Sequence, residues 1–281
     1  MTASDLSTVV ETGTGVYVYG VVVADDAAAA VAEVGAAVDP AHGVASVREG
    51  EIAALVSEVS LEEFGEASLR GRLQDPAWLE AKVRAHEEVL ERALVCTAIV
   101  PFRFGTIFRR EDDVRRFLVD RGSEVAQVLE RVRGKVEIGV KAFVDRELLE
   151  RRLAETSPDV HELEGQRRTA TGGREYLLRR RLERALGEEV ERFRDECARA
   201  SHERLAAAAD DARVSELQPS ELSGRAEEML LNGAYLVHAG DDGLEAAVAE
   251  LGVRYRDLGV SYDLTGPWPA YNFVPRELGE T

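Results

Sequence analysis

The stretch Val16-Tyr-Val-Tyr-Gly-Val-Val-Val23 constrains the fold more than any other part of the chain. It is almost wholly apolar, β-branched and aromatic, and it shows no alternation that would leave one side in water. It therefore predicts a strand buried on both faces or central in a sheet. A helix is expected next, from Asp25 as a natural N-cap to Ala37. Val44–Arg48 and Ile52–Val59 read as two strands of a hairpin, with Gly50 supplying the positive φ of the turn. Asp75-Pro76 announces a helix, Asp as N-cap and Pro at the first helical position. Along it Leu79, Val83, His86, Val89, Leu90 and Ala93 recur at three- and four-residue spacing, which predicts a helix packed on a sheet. Ala98–Phe104 completes a βαββαβ order. Helical periodicity returns from Glu111 to Arg133, with Gly122 as an expected break into two shorter helices.

The second half opens on Lys135–Val144, which alternates apolar and polar residues as a half-solvated strand does. A short helix to Glu155 is followed by Thr156–Gly173, which lacks periodic apolar residues and reads as a loop. Then come a long helix over 174–209, strands near Val214–Leu217 and over Met229–His238, a helix from Asp241 to Leu251, and a strand over Arg254–Leu264. The order βαββαβ recurs. The expected architecture is thus α+β: a flexible leader over 1–15, an N-terminal α+β domain over 16–134, and a ferredoxin-like C-terminal domain over 135–281, with additional helices between them.

Charge narrows the function classes. Among 281 residues, 35 Lys and Arg face 53 Asp and Glu, for a net −18, which opposes attraction to nucleic acid phosphates or anionic lipid. The apolar runs Val16–Ala24 and Ala93–Phe102 fall short of the roughly 20 residues a membrane helix needs, and the polar, acidic N-terminus lacks the pattern of a secretion signal. A cytoplasmic protein, with neither nucleic acid binding nor membrane insertion, is expected. Cys96 and Cys197 have no CxxC spacing and read as small core residues.

Motifs for catalysis fail one after another. His86-Glu-Glu-Val-Leu begins like HExxH but has Leu90 at the second ligand position, and His202-Glu-Arg-Leu-Ala ends at Ala206. Gly13-Thr-Gly15 precedes its strand where a phosphate cradle would follow it, and no Walker lysine or GxSxG occurs. Gly172-Gly173 with Arg174 opens a helix and offers N–H groups to an anion, although a flexible helix entry accounts for the same residues. No catalytic, cofactor or metal site is expected. An enzymatic reading would need His86 buried beside a carboxylate in a cleft. A ligand-sensing reading would need a deep pocket lined by Arg103 and Arg174.

Two segments stand out from ordinary surface. Pro101-Phe-Arg-Phe-Gly-Thr-Ile-Phe108 gathers aromatics around Arg103 and Gly105 and suits a packed turn with a buried or stacking guanidinium. Leu264-Thr-Gly-Pro-Trp-Pro-Ala-Tyr-Asn-Phe273 suits an extended cover for a sheet edge or an anchor for a partner.

These segments, together with Val16-Tyr-Val-Tyr-Gly20, Gly173-Arg-Glu-Tyr-Leu-Leu178 and Leu231-Asn-Gly-Ala-Tyr-Leu-Val237, carry a resemblance to the gas vesicle protein F and L family. The motifs follow the family's order over roughly 16–275. Ala270 departs from it where relatives commonly carry a third proline. The resemblance implies a non-catalytic, gas-vesicle-associated assembly protein. It would bind the small hydrophobic shell subunit, gas vesicle protein A, and other accessory proteins, with self-association left open. It makes Phe102, Arg103, Phe104, Gly105, Arg174, Tyr176, Asn232, Tyr235, Trp268, Tyr271 and Phe273 the candidate partner-binding or motif residues. The alternative is a ligand-sensing regulatory protein built from ferredoxin-like modules.

Overall fold

The structure is a computed structural model that describes residues 13–219, 225–275 and 278. The chain divides into two compact units. One takes the chain up to Val136 together with the segment from Trp268 onward, and the other takes Glu137–Pro267. The sequence reading placed the whole C-terminal segment with the second domain, and here the structure corrects it. Ala270, Phe273 and Leu278 are buried, and Tyr271 packs on the core of the first unit, so apolar burial draws the segment back there. Most of the expected leader, residues 1–12, lies outside the described residues, and Thr14–Gly15 already belong to the first strand.

In the first unit the elements run β1 (Thr14–Val23), α1 (Ala27–Glu33), β2 (Val44–Glu49), β3 (Ile52–Ser60), α2 (Leu61–Phe64), α3 (Glu66–Arg72), α4 (Pro76–Cys96), β4 (Ile99–Pro101), β5 (Ile107–Phe108) and α5 (Glu111–Val132). The sheet order is β2-β3-β1-β4, with β5 on β1. Strand β3 is antiparallel to both β1 and β2, so it sits between two strands that run the same way. Tyr17, Tyr19 and Val22 of β1 share a core with Ala27 and Ala30 of α1 and Val89, Leu90 and Ala93 of α4. Helix α5 packs on the same sheet through another core, with Phe117 edge-on to Phe102 and Phe108. Two helical layers explain why β1 reads as continuously apolar.

Local signals behave as chemistry dictates. The Asp75 carboxylate accepts from Ala77 N–H and Trp78 N–H, capping α4, and Gly50 turns the hairpin at φ 58°. Other expectations are corrected. Helix α1 ends at Glu33, short of Ala37. Helix α5 runs unbroken through Gly122 because one glycine inside a long amphipathic stripe costs only about 1 kcal/mol. Cys96 is exposed, since the last turn of α4 directs it and Val95 outward, whereas Cys197 is buried.

The second unit contains β6 (Lys135–Val144), α6 (Arg146–Thr156), α7 (Pro158–Arg168), α8 (Gly173–Ala206), β7 (Asp211–Val214), β8 (Glu228–His238), α9 (Gly243–Tyr255) and β9 (Val260–Trp268). Its sheet order, β7-β8-β6-β9, repeats the relation seen in the first unit: the third strand lies between the first and second. Helix α7 replaces the expected loop. Pro158 at its first position favours a helical start. Only Val160 is fully buried along it, so the sequence lacks the stripe that marks other helices.

Candidate functional site

Three of the motif segments meet at His86. After β4 the chain turns, with Thr106 Oγ1 donating to the Arg103 carbonyl at 2.8 Å and Gly105 at φ 85°, a backbone state glycine adopts without strain. The Gly105 N–H donates to the Tyr17 hydroxyl at 3.0 Å. Tyr17 is placed by β1, whose register with β3 slips between Val18 and Gly20, a β-bulge that re-aims side chains. Its hydroxyl lies 2.9 Å from His86 Nδ1. The Tyr271 hydroxyl gives its one proton to Glu87, so it accepts from His86 Nε2–H, and in that neutral tautomer the Tyr17 hydroxyl donates to Nδ1. Nε2 lies 3.3 Å from the Tyr271 hydroxyl, which in turn donates to Glu87 Oε1 at 3.1 Å. The result is a directed relay from Gly105 through Tyr17, His86 and Tyr271 to Glu87.

Burial shifts the titration of the groups along this relay. His86 has no solvent exposure, and desolvation lowers its pKa from 6.5 to about 4, against the opposing effect of a hydrogen bond with the Phe102 backbone. Burial also pushes the Tyr17 hydroxyl well above its usual range. It raises the Glu87 carboxyl, with the Tyr271 hydrogen bond working the other way, and Glu87 Oε2 is buried without a hydrogen-bond partner among the described residues. Aromatic rings close over the imidazole: Tyr19 stacks on it at 5.7 Å and Phe104 meets it edge-on at 5.9 Å. The imidazole is joined through Tyr271 to a carboxylate, and its own ring is closed off from solvent.

The relay has a half-exposed rim. Phe104 and Trp78 meet edge-on at 6.4 Å, and both, with Tyr271, lie partly buried against the core. Trp78 Nε1 donates to Glu63 Oε1 at 2.6 Å, while Lys82 pairs with Glu63 at 3.2 Å and lies over the Phe64 ring at 5.1 Å. Trp78 and Tyr17 are not among the site residues expected from sequence. Their signals were present, Trp78 three residues after a helix cap and Tyr17 in the strand that most constrains the fold.

The candidate residues therefore separate by position. Phe102 and Phe273 are buried core, Phe104, Gly105 and Tyr271 form or border the relay, and Trp268 is half-buried at the end of β9. Arg103 is exposed, which corrects the expectation of a buried guanidinium: the interior of the turn is taken by Phe102.

Asn232 and Tyr235 sit on β8 in the second unit. Asn232 Nδ2 donates to the Glu216 carbonyl at 3.1 Å, and the buried Tyr235 hydroxyl lies 3.1 Å from His202 Nδ1. The Tyr235 ring folds back over Gly233, where a Cβ would come within 2.6 Å of it, so the Asn-Gly-Ala-Tyr motif is a packing unit. Arg174 and Tyr176 are exposed near the start of α8. Arg174 lines a groove at the start of α8. Among the described residues, no three His, Cys, Asp or Glu side chains are arranged to hold a metal ion, and no helix is long and apolar enough to cross a membrane.

Comparison with known proteins adds the remaining observations. The model of a family described as gas vesicle synthesis protein GvpL/GvpF matches residues 15–275. The chain is similar to gas vesicle protein L of Streptomyces sp. (strain CB03234), 33% identical over 83% of this chain and 86% of that protein. Gas vesicle protein F of the same strain is 31% identical over 84% of this chain and 90% of its own length. The fold is similar to the crystal structure of GvpF from Anabaena sp. PCC7120, with a TM-score of 0.69 at 18% identity, covering 94% of this chain and 99% of that one. GvpF from Microcystis aeruginosa gives 0.63 at 17% identity, covering 93% and 99%.

Proposed function

The chain belongs to the gas vesicle synthesis protein GvpL/GvpF family, and from that premise we propose that it is a non-catalytic assembly factor that holds the small hydrophobic shell subunit, gas vesicle protein A, while the shell grows. The membership gives it an accessory role in gas vesicle formation and an association with gas vesicle components. Contact with the shell subunit, and with other accessory proteins, is the part proposed.

One observation carries the reading. His86 and Tyr17 are buried, whereas the aromatic side chains of Phe104, Trp78 and Tyr271 stay partly open around them. An apolar rim held rigid from beneath by a polar relay suits recognition of an apolar partner, because little side-chain freedom remains to be lost on contact. The net charge of −18 works on the complex as a whole: like charges repel, so loaded copies resist joining one another through apolar patches.

Two kinds of variant test the division of labour. Phe104→Ser combined with Trp78→Ser should release the shell subunit into the pellet on coexpression while the protein itself stays soluble. Neutralising surface carboxylates away from the rim should leave the pair bound but prone to aggregate. If the rim variants keep the subunit soluble and the charge variants change nothing, the mechanism is wrong.

A further inference from the structure

Helix α8 carries its arginines in two different states. In its C-terminal half Arg192, Arg194, Arg199 and Arg204 each pair with a glutamate: Glu189, Glu191, Glu203 and Glu250 respectively. Toward its N-terminus Arg179 is partnered too, near Glu183 at 3.8 Å and over the Tyr176 ring at 5.6 Å. Arg174, Arg180, Arg181 and Arg184 form no ion pair among the described residues, and all four are exposed. They line one groove of about 590 Å³ with Gln166 of α7 and Tyr176 and Leu177 of α8. Tyr176 is 53% and Leu177 62% exposed there.

The spacing makes this a single surface. Arg174, Leu177, Arg181 and Arg184 stand three, four and three residues apart, which places them on one side of a helix over a rise of about 15 Å. Between Arg174 and Arg184 five arginines face two glutamates, in a chain whose overall charge is −18. A concentrated positive patch without internal partners, with an exposed tyrosine and leucine beside it, has the composition of a contact surface.

We infer that this α7–α8 groove is a docking site for an acidic helical segment of another protein, one that carries leucine-type side chains along the face it presents. The guanidinium groups match carboxylates in bidentate geometry, and Leu177 and Tyr176 match an apolar ridge between them. A nucleic acid fits less well, since its phosphates extend beyond a footprint of about 15 Å and the chain's net charge of −18 opposes them. A second copy of this chain also fits less well, because two strongly acidic molecules repel. The groove is built from residues of the second unit alone, and the inference stands whether or not the His86 rim binds the shell subunit.

The test uses the full chain and a fluorescein-labelled amphipathic peptide of glutamates with leucines at three- and four-residue spacing, read by fluorescence anisotropy. The docking reading expects saturable one-to-one binding that weakens with added salt. It expects a loss of about tenfold or more in Arg181→Glu/Arg184→Glu and a several-fold loss in Leu177→Ser, with both variants melting like the parent because the replaced side chains are exposed. Four results would overturn it. These are no binding at low ionic strength; equal binding of polyglutamate with no effect of Leu177→Ser; tighter binding of a single-stranded RNA oligonucleotide of equal charge; or self-association of the parent that the double variant abolishes.

Discussion

The Tyr271 hydroxyl lies 3.3 Å from Nε2 of His86, a residue 185 positions earlier in the chain, and passes its own proton toward Glu87. That contact ties the Pro/aromatic C-terminal segment to the first unit and makes the buried imidazole the meeting point of three separated motifs. Its consequences are measurable.

Tyr271→Phe keeps the ring and removes the hydroxyl that serves both His86 and Glu87. Urea unfolding should show a loss of about 1–2 kcal/mol. Phe273→Ala, which empties a fully buried site in the same segment, should cost about 3–5 kcal/mol. An unchanged midpoint for both would mean the segment does not pack where the structure places it.

His86 should make stability depend on pH in a defined window. The unfolded chain protonates it below about pH 6.5 and the folded chain only below about 4. Between those values the unfolded state therefore binds more protons. The contribution is fully present above about pH 6.5 and is lost as pH falls toward 4, a total of roughly 3 kcal/mol. The other groups facing the ring are the Tyr271 hydroxyl, the Tyr17 and Tyr19 hydroxyls, which burial pushes further from this window, and Glu87. The raised pKa of Glu87 acts with the opposite sign, so its contribution grows as pH falls. Unfolding measured at pH 7, 6 and 5 in a Glu87→Gln background isolates the histidine, and a flat profile there contradicts the relay.

Gly105→Ala tests the turn above the relay. An added Cβ meets only Leu69 Cδ2, at 3.6 Å, so the cost comes from holding a non-glycine residue at φ 85° and should be about 1–3 kcal/mol. Calorimetry would show it as a lowered Tm, and a neutral result would remove the positive-φ turn.

Gly233→Ala probes the second unit by another mechanism. The Tyr235 ring is fully buried and cannot swing away from a Cβ set 2.6 Å from it, so overpacking should destabilise by about 1–3 kcal/mol or more. Adding Tyr235→Leu should relieve part of that cost, giving a non-additive double-mutant cycle. Strict additivity would show that the ring does not lie over the glycine.

Legibility in the sequence followed the range of the interaction. The Asp75 cap, the Gly50 turn and the doubly covered β1 depend on neighbours a few residues away or on the apolar run itself, and the sequence carries those signals directly. Helix α7 escaped notice because it buries little beyond Val160, leaving no periodic stripe to read. Composition alone does not say that Phe102, and not Arg103, is the side chain of this tight turn that is buried. The relay was beyond reach for a different reason: Tyr17, His86, Gly105 and Tyr271 look ordinary in their own segments, and only the sheet and the returning C-terminal segment bring them together.

The most direct test of the assembly-factor account is size-exclusion chromatography of the supernatant after coexpression with the shell subunit, with the pellet assayed in parallel. The account predicts that shell subunit which pellets when expressed alone elutes together with this protein, and that the Phe104→Ser/Trp78→Ser variant returns it to the pellet. Shell subunit that pellets equally with and without the protein, with no shared elution peak, would contradict it.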